Sequence, residues 1–174
     1  VMIIVQDLHK SFGSFAALRG ISLTVRRGEI YGFIGPNGAG KTTTMNILAG
    51  LSHPSSGSCR VNGRDVRSIR HPSELQIGYL PENPAFYAWM TANETLAYLS
   101  GSGKTDTARL LEWVGLTDAA RRKVGGFSRG MRQRLGLAAA LVHDPDLLIL
   151  DEPSSALDPE GRSDVLRLIR ELKQ

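Results

Sequence analysis

The first part of the chain contains short stretches in which apolar and polar side chains alternate. Residues 2–5 form an apolar run, and apolar and polar positions alternate over residues 21–26 and 58–61. A period of two residues is typical of strands with one face toward solvent. Asn62-Gly63 follows the last of these stretches and is a β-hairpin signal toward Val66. The pattern therefore predicts an antiparallel β layer in this part of the chain.

The middle of the chain, residues 84–124, has the spacing of helices rather than of strands. Thr91 and Glu94 have the spacing of a capping box, which predicts a helix beginning after Thr91. A second helix carries its apolar side chains on one side and can end at Gly115. The apolar positions of that helix are Leu110, Leu111 and Val114.

Two further helices are predicted in the last third of the chain. Ser128 can cap the first of them, and Asp158 followed by Pro159 is typical of the start of the second. Each helix has one apolar stripe, formed by Met131, Leu135, Ala138 and Val142 in the first and by Val165, Leu168, Ile169 and Leu172 in the second.

Two apolar runs without alternation are predicted to be strands. Residues 147–150 read Leu-Leu-Ile-Leu, which is typical of a strand buried on both faces. Residues 30–34 form the second run, and a predicted helix over residues 41–49 follows shortly after it. The segment between that run and that helix carries the most informative pattern in the chain.

This segment matches the phosphate-binding loop pattern G-x-x-x-x-G-K-S/T without a mismatch. A strand-like run enters it and a helix leaves it, which is the context that the pattern requires; the alternative is a chance match in a glycine-rich loop. The candidate nucleotide-binding residues here are Gly35, Pro36, Asn37, Gly38, Ala39, Gly40, Lys41, Thr42 and Thr43.

The residue types of this loop suit a nucleotide's phosphates. Its glycines allow the backbone to turn N–H groups inward around an anion, and the helix N-terminus adds partial positive charge. Lys41 is expected to reach the β- and γ-phosphates, and the hydroxyl of Thr42 is expected to hold Mg²⁺.

Two carboxylates end the apolar run at residues 147–150. Asp151 is placed to contact Mg²⁺ directly or through water, and Glu152 is placed to polarise an attacking water. Carboxylates at the end of a core strand are costly without cationic partners. The alternative is a strand that simply leaves the core into solvent.

Composition narrows the class of protein without identifying it. The 174 residues suffice for one domain with a core, and no apolar run approaches the roughly 20 residues of a membrane span. The single cysteine, Cys59, excludes an internal disulfide and suits the cytosol. The formal charge of +4 is compatible with attraction to nucleic acid or anionic lipid. Because the basic residues are scattered, we expect instead a solvated surface with some phosphate-facing residues, and no nucleic-acid partner.

Taken together, these motifs resemble the ATP-binding domain of ABC transporters, from about Ile3 to the end of the chain. Gly35–Thr42 matches the Walker A motif, and Leu147–Glu152 matches Walker B with its catalytic glutamate. Phe127–Met131 is similar to the signature motif, and residues 154–158 are similar to the D-loop. The string Ser-Arg-Gly-Met-Arg-Gln-Arg-Leu resembles drug- and antibiotic-exporter ATPases of this family.

The resemblance implies an α/β fold with a P-loop NTPase core, an N-terminal antiparallel β layer and an inserted helical subdomain. The whole chain, 1–174, would be one ATP-binding domain, with its core at residues 1–82 and 143–174 and its helical insert at about 83–142. It also implies further nucleotide-binding residues, namely Phe12 stacking on adenine, Glu82, Ser128, Gly130 and Asp158. The alternatives are that Phe12 is a core aromatic and that Ser128 is only a helix cap.

The chain departs from the family pattern at several positions. Glu82 stands where the Q-loop glutamine is usual; it can still accept from a metal-bound water, so it joins Thr42 and Asp151 as a candidate metal contact. Arg129, Met131 and Ala156 replace usual residues of the signature motif and D-loop.

Members of the family also carry a histidine after the strand that follows Walker B. The four histidines here all precede Glu152, which favours a cassette whose C-terminal part is missing. Nucleotide binding is expected, whereas turnover is left open.

The function implied is an ATPase subunit that uses ATP and Mg²⁺ to power a separate transmembrane permease subunit. A second ATP-binding cassette, identical or different, would complete each site, and Glu152 with Lys41 would carry the catalysis. The expected location is cytoplasmic, peripheral at the inner face of the cell membrane. Alternatives are a nucleotide-binding regulatory module without efficient turnover and a soluble ABC ATPase acting on nucleic acid or ribosomes.

A second segment, Gly101-Ser-Gly-Lys-Thr105, superficially resembles another phosphate loop. The full pattern requires glycine at position 98, where the chain has Tyr98. This segment is therefore predicted to be a flexible loop between helices.

Overall fold

The computed structural model describes residues 1–101, 105–155 and 157–172. Most of the loop at residues 101–105 and the D-loop residue Ala156 lie outside the described residues, and so do the predictions made for them. The chain folds as two compact units, Val1–Ile77 and Gly78–Gln174. The predicted division into a core at residues 1–82 and 143–174 and an insert stays a prediction.

The first unit contains the predicted antiparallel β layer. Its strands are β1 (Ile3–Phe12), β2 (Phe15–Val25), β3 (Ser56–Val61) and β4 (Arg64–Asp65). They form one sheet in the order β2-β1-β3-β4, and every neighbouring pair is antiparallel. The hairpin at Asn62-Gly63 is confirmed, because both residues have positive φ, at 49° and 78°, as a tight two-residue turn requires.

The first strand is longer than its predicted apolar run because its alternation is interrupted. Asp7 has a φ of 46°, and the pairing of β1 with both neighbours shifts register around it. An extra residue of this kind is a β-bulge, which shifts later side chains out of step with the period of two. The bulge therefore hides the second half of β1 from a sequence pattern.

One helix packs on this sheet. It is α1 (Lys41–Leu48), and its buried side chains include Thr44 and Ile47. The C-cap is Ala49, and Gly50 follows with a φ of 71°, which confirms the predicted helix end. A short 3-10 helix spans Pro72–Leu75. The core of the unit includes Val5, Leu8, Ile47, Val61 and Leu75, each at most 2% exposed.

The strand predicted at residues 30–34 is wrong. This segment has no regular secondary structure, and Ile30, Tyr31 and Ile34 are 58%, 51% and 98% exposed. Among the described residues, neither sheet includes it. A strand is stabilised by hydrogen bonds and side-chain contacts from its neighbours, so an apolar run without a paired strand remains irregular.

In its described residues, the second unit combines a short parallel sheet with four α-helices. The strands β5 (Gly78–Leu80) and β6 (Leu148–Leu150) pair in parallel. The helices are α2 (Ala92–Ser100), α3 (Thr107–Trp113), α4 (Arg129–Ala140) and α5 (Pro159–Glu171), and 3-10 helices span Thr117–Ala119 and Val124–Gly126. The core of this unit includes Leu80, Leu96, Leu111, Leu135 and Leu168.

The predicted helix starts are confirmed by their caps. The hydroxyl of Thr91 accepts from the N–H of Glu94, and Glu94 accepts in return from the N–H of Thr91. Ser128 and Asp158 accept from the N–H groups of Met131 and Gly161. Each of these side chains satisfies a backbone donor that the helix itself leaves unpaired.

The apolar run at residues 147–150 forms the strand β6, as predicted, but its burial is incomplete. Ile149 is buried, whereas Leu148 and Leu150 on either side are only partly buried. Because β6 has one neighbouring strand among the described residues, it is covered less than the unbroken apolar run suggested.

Replacing Gly57 by alanine is expected to destabilise the first unit by about 3 kcal/mol. Gly57 has a φ of 82°, and an added Cβ would lie 2.6 Å from the carbonyl carbon of Asp7 in the bulge of β1. The matched control is Gly28→Ala, because Gly28 has a φ of 78° with no atom within 4 Å of the added Cβ. The control should lose only about 1 kcal/mol in urea unfolding. Equal losses would show that the contact with β1 is unimportant.

Candidate functional site

The predicted phosphate-binding loop has the backbone conformation that its glycines permit. Gly38 and Gly40 have φ values of 81° and 85°, and Gly40 is the N-cap of α1. A Cβ on Gly40 would lie 2.7 Å from the carbonyl oxygen of Ala17, so β2 leaves no room for a side chain there. Position 40 therefore requires glycine, both because its φ is positive and because β2 leaves no space for a side chain.

Lys41 lies across its own loop. Its Nζ donates to the carbonyl oxygens of Gly35 and Pro36 at 2.8 and 3.1 Å. These bonds hold the ammonium group against the start of the loop, beside the backbone that is predicted to bind phosphate. The side chain thus has the position, as well as the charge, that phosphate binding requires.

The N-terminus of α1 is open to an anion. Its N-cap makes no side-chain capping bond, and no acidic residue lies in its first turn. Thr44 donates to the carbonyl oxygen of Gly40 at 2.9 Å and is buried, whereas Thr42 is exposed. Of these two hydroxyls, that of Thr42 is therefore the accessible one for a cation or phosphate.

Phe12 lies at the tip of the β1–β2 hairpin and is 54% exposed. The alternative that it is a core aromatic is therefore wrong. The Nζ of Lys10 lies 4.9 Å from the centre of its ring. An exposed ring on a hairpin is free to stack on a planar ligand, and its role toward adenine stays a prediction.

In the second unit, the candidate carboxylates follow adjacent parallel strands. Glu82 comes two residues after β5, and Asp151 follows β6 directly. The N–H of Asp151 donates to the carbonyl oxygen of Leu80 at 2.8 Å, which extends the ladder by one bond. The carboxyl ends of both strands therefore bring the chain segments of Glu82 and Asp151 to one sheet edge, the usual position for ligands in parallel sheets.

Asp151 is only 2% exposed, and its Oδ2 has no hydrogen-bond partner among the described residues. A buried carboxylate oxygen without a partner is unfavourable unless a cation or a donor satisfies it. Burial, followed by the charge of Asp151, raises the pKa of the neighbouring Tyr79 phenol. An oxygen ligand of this kind fits Mg²⁺, which prefers carboxylates and water.

Glu152 points away from the core where Asp151 points into it. Glu152 is exposed and has a φ of 48°, a conformation that glutamate rarely adopts. The N–H of Ser155 donates to its carbonyl oxygen at 3.0 Å, so the chain turns sharply at this position. Strained backbone of this kind is enriched at functional sites and supports the catalytic role predicted for Glu152.

The signature-like segment forms the start of α4. Ser128 caps the helix, as its alternative interpretation stated, and both Ser128 and Asp158 are exposed. Gly130 lies in the first turn of α4, where a Cβ would meet Leu157 at 3.7 Å. The nucleotide-binding roles of these three residues stay predictions.

Sequence reasoning missed Asn83. Its Oδ1 accepts from Nη2 of Arg129 at 3.4 Å, so the residue beside Glu82 contacts the first residue of α4. No local pattern relates positions 83 and 129, and only the fold brings them together.

Comparison with known proteins agrees with these features. The family model described as ABC transporter matches residues 18–155, which include the phosphate-binding loop, Asp151 and Glu152. The chain belongs to the ABC transporter family. It is 49% identical to the ABC transporter ATP-binding protein YxlF of Bacillus subtilis over 99% of this chain and 59% of that protein. It is 45% identical to the bacitracin transport ATP-binding protein BcrA of Bacillus licheniformis over 95% of this chain and 56% of that protein.

A solved structure of the ATP-binding subunit of an ABC transporter shares the fold of this family member. The two chains are 31% identical, with a TM-score of 0.86, and the match covers 99% of this chain and 75% of the other. The α/β fold with a P-loop core is thereby confirmed. The chain spans a little over half the length of the curated relatives it matches.

None of the helices in the described part of the chain combines the length and apolar composition that a membrane crossing demands.

Proposed function

We propose that this chain is the ATP-binding and ATP-hydrolysing part of an ABC transporter of the antibiotic-exporter type, which powers a separate transmembrane permease. The observation that carries the proposal is the conformation of the loop at Gly35–Thr42, where a left-handed glycine opens an uncapped helix beside Lys41. The similarity to a bacitracin transport ATP-binding protein supports the exporter assignment.

The loop and Lys41 would bind the triphosphate. The first N–H groups of α1 point along its axis and have no side-chain cap, so they can donate to phosphate oxygens. The ammonium of Lys41 would exchange its bonds to Gly35 and Pro36 for bonds to the nucleotide. Both groups stabilise negative charge that develops as the terminal phosphate leaves.

Thr42 and Asp151 would hold Mg²⁺, with Glu82 contacting it through water. Bound magnesium would neutralise charge on the phosphate oxygens. The buried, unpartnered Oδ2 of Asp151 is the observation that supports Asp151 as a metal ligand. Glu152 is exposed beside it and would orient a water molecule and take its proton during attack on the terminal phosphate.

Two further parts of the proposal concern partners. Ser128, Gly130 and Asp158 lie at or beside exposed helix starts, and we propose that they complete the nucleotide site of a second cassette. The permease would hold the chain at the inner face of the cell membrane. Closing of the two cassettes around ATP would then be transmitted to the permease.

Asparagine in place of Asp151 tests the metal part of this proposal. Asp151→Asn should fold normally, because the shape is kept and a buried charge is removed. It should nevertheless raise the magnesium concentration needed for half-maximal phosphate release by about tenfold or more, because the loss of a charged ligand weakens binding. Magnesium titrations at fixed ATP measure this.

The matched control for that titration is Asp144→Asn. Asp144 is exposed, and its φ of 48° suits asparagine. An unchanged magnesium requirement in Asp151→Asn would remove Asp151 from the metal site. No phosphate release and no calorimetric heat with magnesium ATP from the folded native chain would contradict the function itself.

A further inference from the structure

The amide group of Gln133 in α4 is buried without a partner. Gln133 is 3% exposed, and its Nε2 has no hydrogen-bond acceptor among the described residues. Burying an amide donor in this way is unfavourable, whereas an apolar side chain of similar size would leave no donor unsatisfied. Nucleotide, metal and water binding, as proposed, make no use of this residue. Glutamine at this position is therefore costly unless an acceptor for its amide lies nearby.

The face of α4 that carries Gln133 is directed toward the segment after β5. A Cβ on Gly136 would lie 3.1 Å from Cβ of Pro84. Nη2 of Arg129 donates to Oδ1 of Asn83 at 3.4 Å. Positions 129, 133 and 136 are four and three residues apart, so they lie along one face of the helix. Gln133 therefore lies on α4 between the contact with Asn83 and the contact with Pro84.

Glu82 provides the charged acceptor in this segment. It is partly buried, and no hydrogen bond or ion pair of its side chain occurs among the described residues. Leu80, two residues earlier, also packs against α4, because its Cδ1 would lie 2.6 Å from a Cβ on Gly136. A carboxylate accepts from an amide more strongly than a neutral carbonyl group does, so the two side chains are complementary. The backbone carbonyl oxygens of residues 81–83 are the alternative acceptors.

We propose that Gln133 is a positioning residue for Glu82: its amide donates to the Glu82 carboxylate and holds it at the sheet edge where Asp151 lies. The bond requires the side chain of Glu82 to turn toward α4, since Nε2 has no acceptor in this structure. This role deepens the proposed function and depends on it, because Glu82 is there a contact of Mg²⁺ through water. A partner of this kind fixes the orientation of a group at a metal site, and its loss weakens metal binding by about 10–100-fold.

The helix gives this donor a fixed position. Leu135 and Leu137, close to Gln133 in α4, are fully buried in the core of the second unit. Glu82, by contrast, follows β5 in a segment without regular secondary structure. Groups on packed helices are held more precisely than groups on irregular segments. A donor on α4 therefore restricts the carboxylate more than a donor within its own segment would.

Exchanging the two residues tests the pair without nucleotide or magnesium. Gln133→Glu would bury a second carboxylate against Glu82, so the equilibrium constant for folding, measured by urea unfolding, should fall. Adding Glu82→Gln restores one amide and one carboxylate in reversed order, and it should recover at least about tenfold in that constant, the value of a hydrogen bond to a charged group. The control is Glu112→Gln in place of Glu82→Gln, which removes an equal charge from an exposed position of α3 and should recover nothing. If Gln133→Glu alone does not fold, recovery of a folded chain by Glu82→Gln but not by Glu112→Gln is the expected result.

Gln133→Met tests the consequence for the metal site. Methionine has a similar volume and no donor, so this variant should fold normally. The magnesium concentration for half-maximal phosphate release should rise about tenfold while the maximal rate is kept, because only the orientation of Glu82 is lost. Added to Glu152→Gln, the same substitution should shift the magnesium dependence of ATP binding equally in calorimetry, a measurement that does not use turnover. In Glu82→Ala, where the carboxylate is absent, Gln133→Met should have no further effect.

Two results would overturn the role of Gln133. One is a failure of Glu82→Gln to recover more than Glu112→Gln does, which would leave a backbone carbonyl oxygen as the acceptor. The other is a magnesium requirement that Gln133→Met leaves unchanged, or changes equally whether or not Glu82 is present. If the native chain neither binds nor hydrolyses magnesium ATP while the exchange still recovers stability, the proposed function fails and the contact between Gln133 and Glu82 stands.

Discussion

Replacing Lys41 by alanine is expected to lower the rate of phosphate release at least about 100-fold and to weaken ATP binding. The ammonium group lies within the loop, 2.8 Å from the carbonyl oxygen of Gly35, where phosphate is proposed to bind. Removing a charged donor from a preorganised anion site costs a factor of about 10²–10³ in turnover. Phosphate release and calorimetric titration with magnesium ATP measure the two effects.

The control for this variant is Lys10→Ala in the same unit. The Nζ of Lys10 also donates to a backbone carbonyl oxygen, that of His53, at 2.7 Å. Like Lys41→Ala, Lys10→Ala therefore removes a lysine that holds a loop. Unlike Lys41→Ala, it removes no charge from the phosphate site. If both variants reduced turnover equally, the effect of Lys41→Ala would reflect the loop's stability rather than phosphate binding.

The second large effect is expected for Glu152→Gln. Phosphate release should fall about 10²–10⁴-fold, because the amide cannot take a proton from water. ATP binding should be kept, since Glu152 is exposed and the amide has the same length. The backbone strain at its φ of 48° is unchanged, because glutamine resembles glutamate in its backbone preferences. Single-turnover hydrolysis separates the chemical step from binding.

The same variant tests the proposed second cassette. If two chains share ATP between them, a variant that binds but does not cleave it should accumulate as a dimer with magnesium ATP. Light scattering measures the mass, and Glu160→Gln, on the exposed first turn of α5, is the control. Turnover of Glu152→Gln at the native rate would remove this residue from catalysis. A monomer that binds ATP would contradict the shared site and leave the catalytic role intact.

Local sequence patterns were sufficient for most helices and for the existence of the antiparallel sheet, but not for the second half of β1. The capping box at Thr91 and Glu94 and the caps at Ser128 and Asp158 were predictable because each depends on residues three positions apart. The hairpin at Asn62-Gly63 was predictable from two adjacent residues, since both tolerate positive φ. Contacts between residues so close in sequence leave a recognisable pattern in a short stretch of the chain.

Several features had no local signal. The ring of Tyr87 contacts those of Trp89 and of Tyr98 on α2, and the N–H of Val124 donates to the carbonyl oxygen of the distant residue Met90. The contact between Asn83 and Arg129 spans 46 positions. Packing of distant segments produces these groupings, and no periodicity encodes them.

The sequence by itself determined the chemistry of this protein: the glycine-rich loop, its lysine and the two adjacent carboxylates identify the family. The tertiary structure alone decided the environment of those groups. It left residues 30–34 irregular because no strand pairs with them among the described residues, although their composition favours a strand. It also buried Asp151, which directly follows β6, and exposed Glu152, because the left-handed backbone of Glu152 turns the chain away from the core at this position.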